Sequence, residues 1–222
     1  MDRDFFGFGK WSAPYWFIGP EQGNGRSEDD YFDERLAAWE MLQRPEVCDC
    51  ASFHQYLGDT TWHQPLPPLQ STWRSLLLFR LEYIEEPSTV FHRKRYQADL
   101  LGAEDGNTCV IKLSGIAARW LRPESERHEF LAHRVNRIRS RIASYRPELV
   151  LMYRPADRPT WNAIAGQQVQ ADSVTLIDGA IFVMSPHPLD FGRSNASWRR
   201  LAAKARECRA KMSPKKANIG RC

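Results

Sequence analysis

Several things are scarce in this 222-residue chain. It holds five cysteines, Cys48, Cys50, Cys109, Cys208 and Cys222, an odd number with no C-x-x-C pair. That excludes the paired framework of a small secreted domain and points to a reducing, cytoplasmic setting. Apolar runs such as Leu76-Leu77-Leu78-Phe79 fall far short of the ~20 residues that cross a bilayer, so no membrane association is expected. The amino-terminal stretch MDRDFFGFGKW lacks the apolar centre of a signal peptide. There is no internal repeat and no convincing linker. A glycine-rich segment, Gly19-Pro20-Glu21-Gln22-Gly23-Asn24-Gly25, is present, but it lacks the Lys-Ser or Lys-Thr of a P-loop and the G-x-G-x-x-G of a dinucleotide fold. No metal and no cofactor are expected.

What is present is ordinary globular material, 42% hydrophobic and 26% charged, enough for one large domain with a real core. The formal net charge of +4 suits a polyanionic partner without requiring one. The bases are uneven. One cluster is Arg134, Arg137, Arg139, Arg141 and Arg146; another runs from Arg199 and Arg200 through Lys204, Arg206, Arg209, Lys211, Lys215 and Lys216 to Arg221. Each has a plain reading as a solvated helix face; two in one chain favour nucleic acid.

Periodicity predicts strands at 15–18, 108–113, 149–153, 173–177 and 180–184. Helices are predicted at 28–43, 73–84, 91–101, 124–145, 159–165 and 195–210. The wholly apolar run Leu149-Val150-Leu151-Met152-Tyr153 suits a parallel strand covered on both faces. Alternating strands and helices predict one α/β domain over 1–212, three-layer α/β/α around a mainly parallel sheet. It carries a helical insert at 47–105 and a disordered basic tail at 213–222. In such sheets ligands bind beyond the carboxyl ends of the strands. Three segments reach that edge with unusual chemistry: 19–25, 112–115 and 185–192.

In the first, Glu21 stands at a strand tip, where a carboxylate can orient water or stabilise a cation; a β-to-α turn with a solvated Glu is the plainer alternative. In the third, Met184-Ser185-Pro186-His187-Pro188-Leu189-Asp190-Phe191-Gly192-Arg193-Ser194-Asn195, two prolines stiffen the chain around His187. Leu189 and Phe191 are loop residues suited to wedging between stacked bases. Arg193 and Ser194 can meet phosphates, and Ser194 or Asn195 can cap the next helix. The alternative is a packed loop with a structural histidine.

Taken together, these segments resemble the uracil-DNA glycosylase superfamily. Gly19-Pro20-Glu21-Gln22-Gly23 is similar to its first motif, G-x-[D/N/A]-P-[G/Y], and Ser185-Pro186-His187-Pro188-Leu189 to its later H-P-S-P-L or H-P-[S/A] motif. The segments TCVIKLSG and RPELVLMY between them are similar to strands of its iron–sulfur branch. The cysteines lack that branch's spacing, and no iron–sulfur cluster is expected. The resemblance places Cys109 where uracil readers carry an asparagine, and a thiol lacks an amide's paired donor and acceptor. Ser185 or His187 fills the family's histidine position, according to which form of the motif is matched.

The resemblance implies a uracil-DNA-glycosylase-like fold and a monomeric, cofactor-free DNA glycosylase that flips a base from duplex DNA and hydrolyses its N-glycosidic bond. Glu21 would direct water and stabilise the sugar cation, and His187 would hydrogen-bond the departing base. Gly19, Gln22, Gly23, Tyr31, Phe32, Cys109, Lys112 and Ser185 would line the substrate pocket. Leu189, Phe191, Arg193, Ser194, Arg199 and Arg200 would meet DNA. Lys112 is also placed for Schiff-base chemistry. Trp62, His63, Trp73, Tyr83 and His92 in the insert suggest a sugar on the base. The specific expectation is therefore glucosylated 5-hydroxymethylcytosine in viral DNA, with uracil repair or a non-catalytic DNA-binding relative as alternatives.

Overall fold

The computed structural model describes residues 3–21, 28–114, 124–154, 158–190 and 194–212; the side chains of residues 21, 28–31 and 124–127 lie outside that description. The chain is α/β, with seven strands in one mixed, mostly parallel sheet. In chain order the strands are β1 (Gly7–Phe8), β2 (Tyr15–Glu21), β3 (Val47–Cys48), β4 (Thr108–Ser114), β5 (Leu149–Tyr153), β6 (Ser173–Ile177) and β7 (Ala180–Ser185). The helices among the described residues are α1 (Glu28–Met41), α2 (Cys50–Tyr56), α3 (Ser71–Tyr83), α4 (Val90–Asp99), α5 (Glu124–Tyr145), α6 (Arg158–Ala165) and α7 (Asn195–Met212), with one 3-10 turn at Thr61–His63.

The spatial order is β3-β1-β4-β2-β5-β7-β6. The four central strands, β4, β2, β5 and β7, are mutually parallel, whereas β1 meets β4 and β6 meets β7 antiparallel. The β6–β7 hairpin closes on Asp178-Gly179, both at positive φ (49° and 83°), the backbone of a type I′ turn that matches strand twist.

Because side chains alternate along a strand, each central strand feeds two separate cores. Phe17, Val110, Leu149, Leu151, Ile181 and Val183 pack with α1–α4 and α7. Trp16, Ile18, Cys109, Ile111, Val150, Met152, Phe182 and Met184 pack with α5 and α6. Burial on both faces explains the unbroken apolar runs, and the arrangement is compatible with three α/β/α layers. On α5 the expected stripe is real: Phe130, Val135 and Ile138 are buried and Ile142 packs beside them.

The insert is not wholly helical. It opens with β3, which pairs with β1 at Gly7–Val47 and Phe8–Cys48. Asp49 then caps α2 by accepting from the Ser52 N–H at 2.8 Å. No helix among the described residues is long and apolar enough to cross a membrane.

Candidate functional site at the carboxyl edge

The carboxyl ends of β4, β2, β5 and β7 lie side by side. Gly19 stands opposite Lys112, and Tyr153 opposite Ser185. Lys112 and Tyr153 are thus two strands apart, about 10 Å across the sheet, with β2 between them. They nevertheless touch: the Lys112 ammonium donates to Tyr153 Oη at 3.0 Å. Gly19 makes this possible. A Cβ there would sit 1.9 Å from Tyr153 Oη and 2.2 Å from Cζ. The glycine is needed for the ring that crosses over it, not for its own backbone angles.

His187 packs edge-on against Tyr153, with ring centroids 5.5 Å apart and an interplanar angle of 68°. Its backbone N–H donates to Asp190 Oδ2 at 2.9 Å, and its carbonyl accepts from the Asp190 N–H at 2.9 Å. Its Nδ1 faces the Leu189 N–H at 3.2 Å. An imidazole nitrogen that accepts has no proton, so the bond places the neutral ring's proton on Nε2. Partial burial, the main cause, holds the imidazole below its usual range; Asp190 opposes this, and Lys112 and Arg154 reinforce it. At neutral pH the ring is therefore uncharged and offers an Nε2–H donor. The three hydrogen bonds close a tight turn whose tip, Leu189, is 55% exposed.

The other candidates divide clearly. Ser185 is buried, and its hydroxyl donates to the Pro186 carbonyl at 3.1 Å. Glu21 ends β2 opposite Ser114, but its side chain and that of Tyr31 lie outside the described residues, as do Gln22, Gly23, Phe191 and Arg193 entirely. Phe32 is partly exposed on α1. Cys109 is not brought to the edge: it is the second residue of β4, fully buried beside Trp16 and Ile111. Burial raises its thiol above the ordinary range. Five residues of strand, about 17 Å, separate it from Ser114, so the reading of Cys109 as a base contact is corrected to core packing.

The basic clusters are partly engaged within the fold. Arg134 is buried and donates to the carbonyls of Arg3, Phe5 and Lys112 at 2.7–2.9 Å, with Phe6 under its guanidinium at 4.0 Å. Arg137 and Arg141 both pair with Glu46. On α7, Arg199 pairs with Glu82 and Arg206 with Glu85, while Arg200 is exposed. Ser194 caps α7, its hydroxyl accepting from the Ser197 N–H at 3.3 Å. Of the aromatics suggested for a sugar, Trp73 and Tyr83 are buried in the core.

Neither a protein-family model nor a curated protein matches the chain. Two residues at this edge were not singled out from sequence. Tyr153 read as the last residue of a buried strand. Arg154 follows it at φ 75°, its N–H bonded to the Ser185 carbonyl at 3.1 Å and its own carbonyl accepting from Trp161 Nε1 at 3.0 Å. A non-glycine residue in the left-handed region costs roughly 1 kcal/mol or more, and such strain gathers at functional edges. The only sequence signal was Arg154-Pro155 directly after an apolar run. A second cluster, Cys50, His54 and His63, lies in the insert. Its signal was the Cys-x-x-x-His spacing, one turn of helix.

Proposed function

We propose that this chain is a monomeric, cytoplasmic DNA glycosylase of uracil-DNA-glycosylase-like fold that hydrolyses the N-glycosidic bond of a flipped base, leaving an abasic site. The observation that carries this reading is the neutral His187, held by its turn with no partner at Nε2–H among the described residues, two residues before an exposed Leu189 and beside Lys112 and Tyr153. As the C–N bond breaks, the base gains negative charge and the sugar gains positive charge. A fixed neutral donor stabilises the first without the cost of charging a ring near other cations. Glu21, at the end of the neighbouring strand, is the residue assigned to the sugar cation and the attacking water. Leu189 fills the space the base vacates. Lys112 is assigned to phosphate or the base edge, with Schiff-base chemistry as its alternative role.

The base is the next question. Cys109 no longer argues against uracil, because a buried residue at the amino end of β4 reads no base. Trp73 and Tyr83 no longer argue for a sugar. Glucosylated 5-hydroxymethylcytosine in viral DNA stays the specific proposal on the half-buried Trp62 and His92 of the insert, with uracil as the alternative.

Duplexes carrying uracil, hypoxanthine, 5-hydroxymethylcytosine or its glucosylated form, incubated with the protein and then heated in alkali, test both levels. Strand breaks at the glucosylated base alone support antiviral defence, and breaks at uracil support repair. Intact strands throughout, with salt-sensitive binding, would replace the glycosylase by a DNA-binding module.

A further inference from the structure

On the far flank of the sheet, Cys50 opens α2 and His54 follows one turn later, so both side chains share a helix face. The 3-10 turn returns His63 to the same spot. Cys50 Sγ lies 3.8 Å from His54 Nδ1, and His54 Nδ1 lies 2.8 Å from His63 Nε2. All three donor atoms fall within 4.8 Å of one another.

Hydrogen bonding alone does not account for this convergence. His54 Nδ1 has either one proton or one lone pair, yet both a thiol and a second ring nitrogen approach it. If it bonds to His63, the buried Cys50 thiol is left out of the pairing. A cation at the centre satisfies all three atoms. Tetrahedral zinc, with bonds of about 2.3 Å to sulfur and 2.0–2.1 Å to nitrogen, sets its ligand atoms roughly 3.3–3.6 Å apart; the two contacts seen here bracket that spacing.

The surroundings fit as well. His63 Nδ1 is buried with no hydrogen-bond partner among the described residues, while Nε2 faces the other two donor atoms. Phe8, Phe53 and Trp73 wall His54 at 5.5, 6.3 and 6.4 Å.

We propose that Cys50, His54 and His63 bind one zinc ion, with water in the fourth position, and that the ion staples α2 to the 3-10 turn. Binding exchanges the Cys50 S–H bond for an S–Zn bond and releases one proton to solvent; no electron moves. The site is separate from the glycosylase reading and stands or falls independently of it.

The test uses the untagged full chain, stripped with chelator and titrated with Zn(II) or Co(II). Saturation at about one ion per chain is expected, with about one proton released per ion near neutral pH. The cobalt form should show a thiolate charge-transfer band and the intense visible bands of tetrahedral geometry, and zinc should raise Tm. Cys50→Ser should remove the charge-transfer band. His63→Ala, at a half-buried ring on a surface turn, should weaken binding at least about tenfold while the chain stays folded; Cys208→Ser on α7 should change nothing. A wild-type cobalt spectrum without the charge-transfer band would overturn the site, and so would unchanged zinc content in the Cys50→Ser/His63→Ala chain. The wild-type titration decides the matter even if Cys50→Ser does not fold.

Discussion

The two ends of the central sheet handle polar groups in opposite ways. At the amino end, Tyr83 Oη donates to Glu148 at 2.6 Å, and Arg209 approaches the same carboxylate at 3.6 Å and covers the Tyr83 ring at 4.8 Å. Burial first, and then Glu148, raise the Tyr83 phenol well above its ordinary range. Arg80 lies over Tyr15 and Tyr96 and pairs with Glu86. Charge is answered by charge at this end. At the carboxyl end, the Lys112 ammonium rests on a neutral hydroxyl and has no ion-pair partner among the described side chains. His187 is neutral, and its Nε2–H has no partner among the described residues. Groups that stabilise only the fold find their counterparts within it; groups left half-answered at one edge suit a ligand that completes them.

Substitutions can break this contrast. Glu21→Gln has the largest expected effect: cleavage falls by at least about 100-fold while DNA affinity is unchanged in a binding titration. Retained cleavage would move the water-directing role elsewhere. Next is Gly19→Ala, whose new methyl group collides with Tyr153 and must part it from Lys112. We expect roughly tenfold or greater loss of cleavage and about 1–3 kcal/mol of lost stability, read by parallel kinetics and denaturant melts.

Acid should act on the same edge. The folded-state value of His187 lies below its unfolded value of about 6.5. The neutral form and its stabilising contribution are therefore fully present above that pH and are lost as pH falls through the folded value. Cleavage should hold steady from about pH 8 to 6.5 and decline below; a decline beginning above pH 7 would contradict the neutral-donor role. At the amino end the pattern reverses. Tyr83→Phe should cost about 1–2 kcal/mol in melts and leave cleavage untouched. Smallest of all, Arg137→Ala should leave the salt dependence of DNA binding unchanged because Glu46 already holds Arg137, whereas Arg200→Ala should flatten the slope by about one.

Much of the frame is legible in the sequence, because burial on both faces imposes long apolar runs. The strands at 149–153 and 173–177 and the helix at 124–145 have the expected limits. The two-residue strands β1 and β3 escape notice since they exist only through their partners; Gly7–Phe8 has no period to detect. The candidate edge was legible in part. His187 and Leu189 announce themselves by prolines and an exposed apolar residue. Tyr153 does not, because its function depends on a missing side chain on the adjacent strand. Cys109 misled because a motif aligned by residue type ignores how far along the strand it lies. Sequence also counts charges without showing the carbonyls and carboxylates that engage Arg134, Arg137 and Arg141.

Arg134 also bears on how the protein should be handled. Its guanidinium grips the carbonyls of Arg3 and Phe5 on one side and of Lys112 on the other. Arg134 therefore ties residues 3–5 to the strand that presents the lysine. Trimming them would leave a buried cation with lost acceptors directly behind the candidate site. Expression vectors that replace residues 3–6, or proteases that nick there, should harm function out of proportion to the few atoms removed.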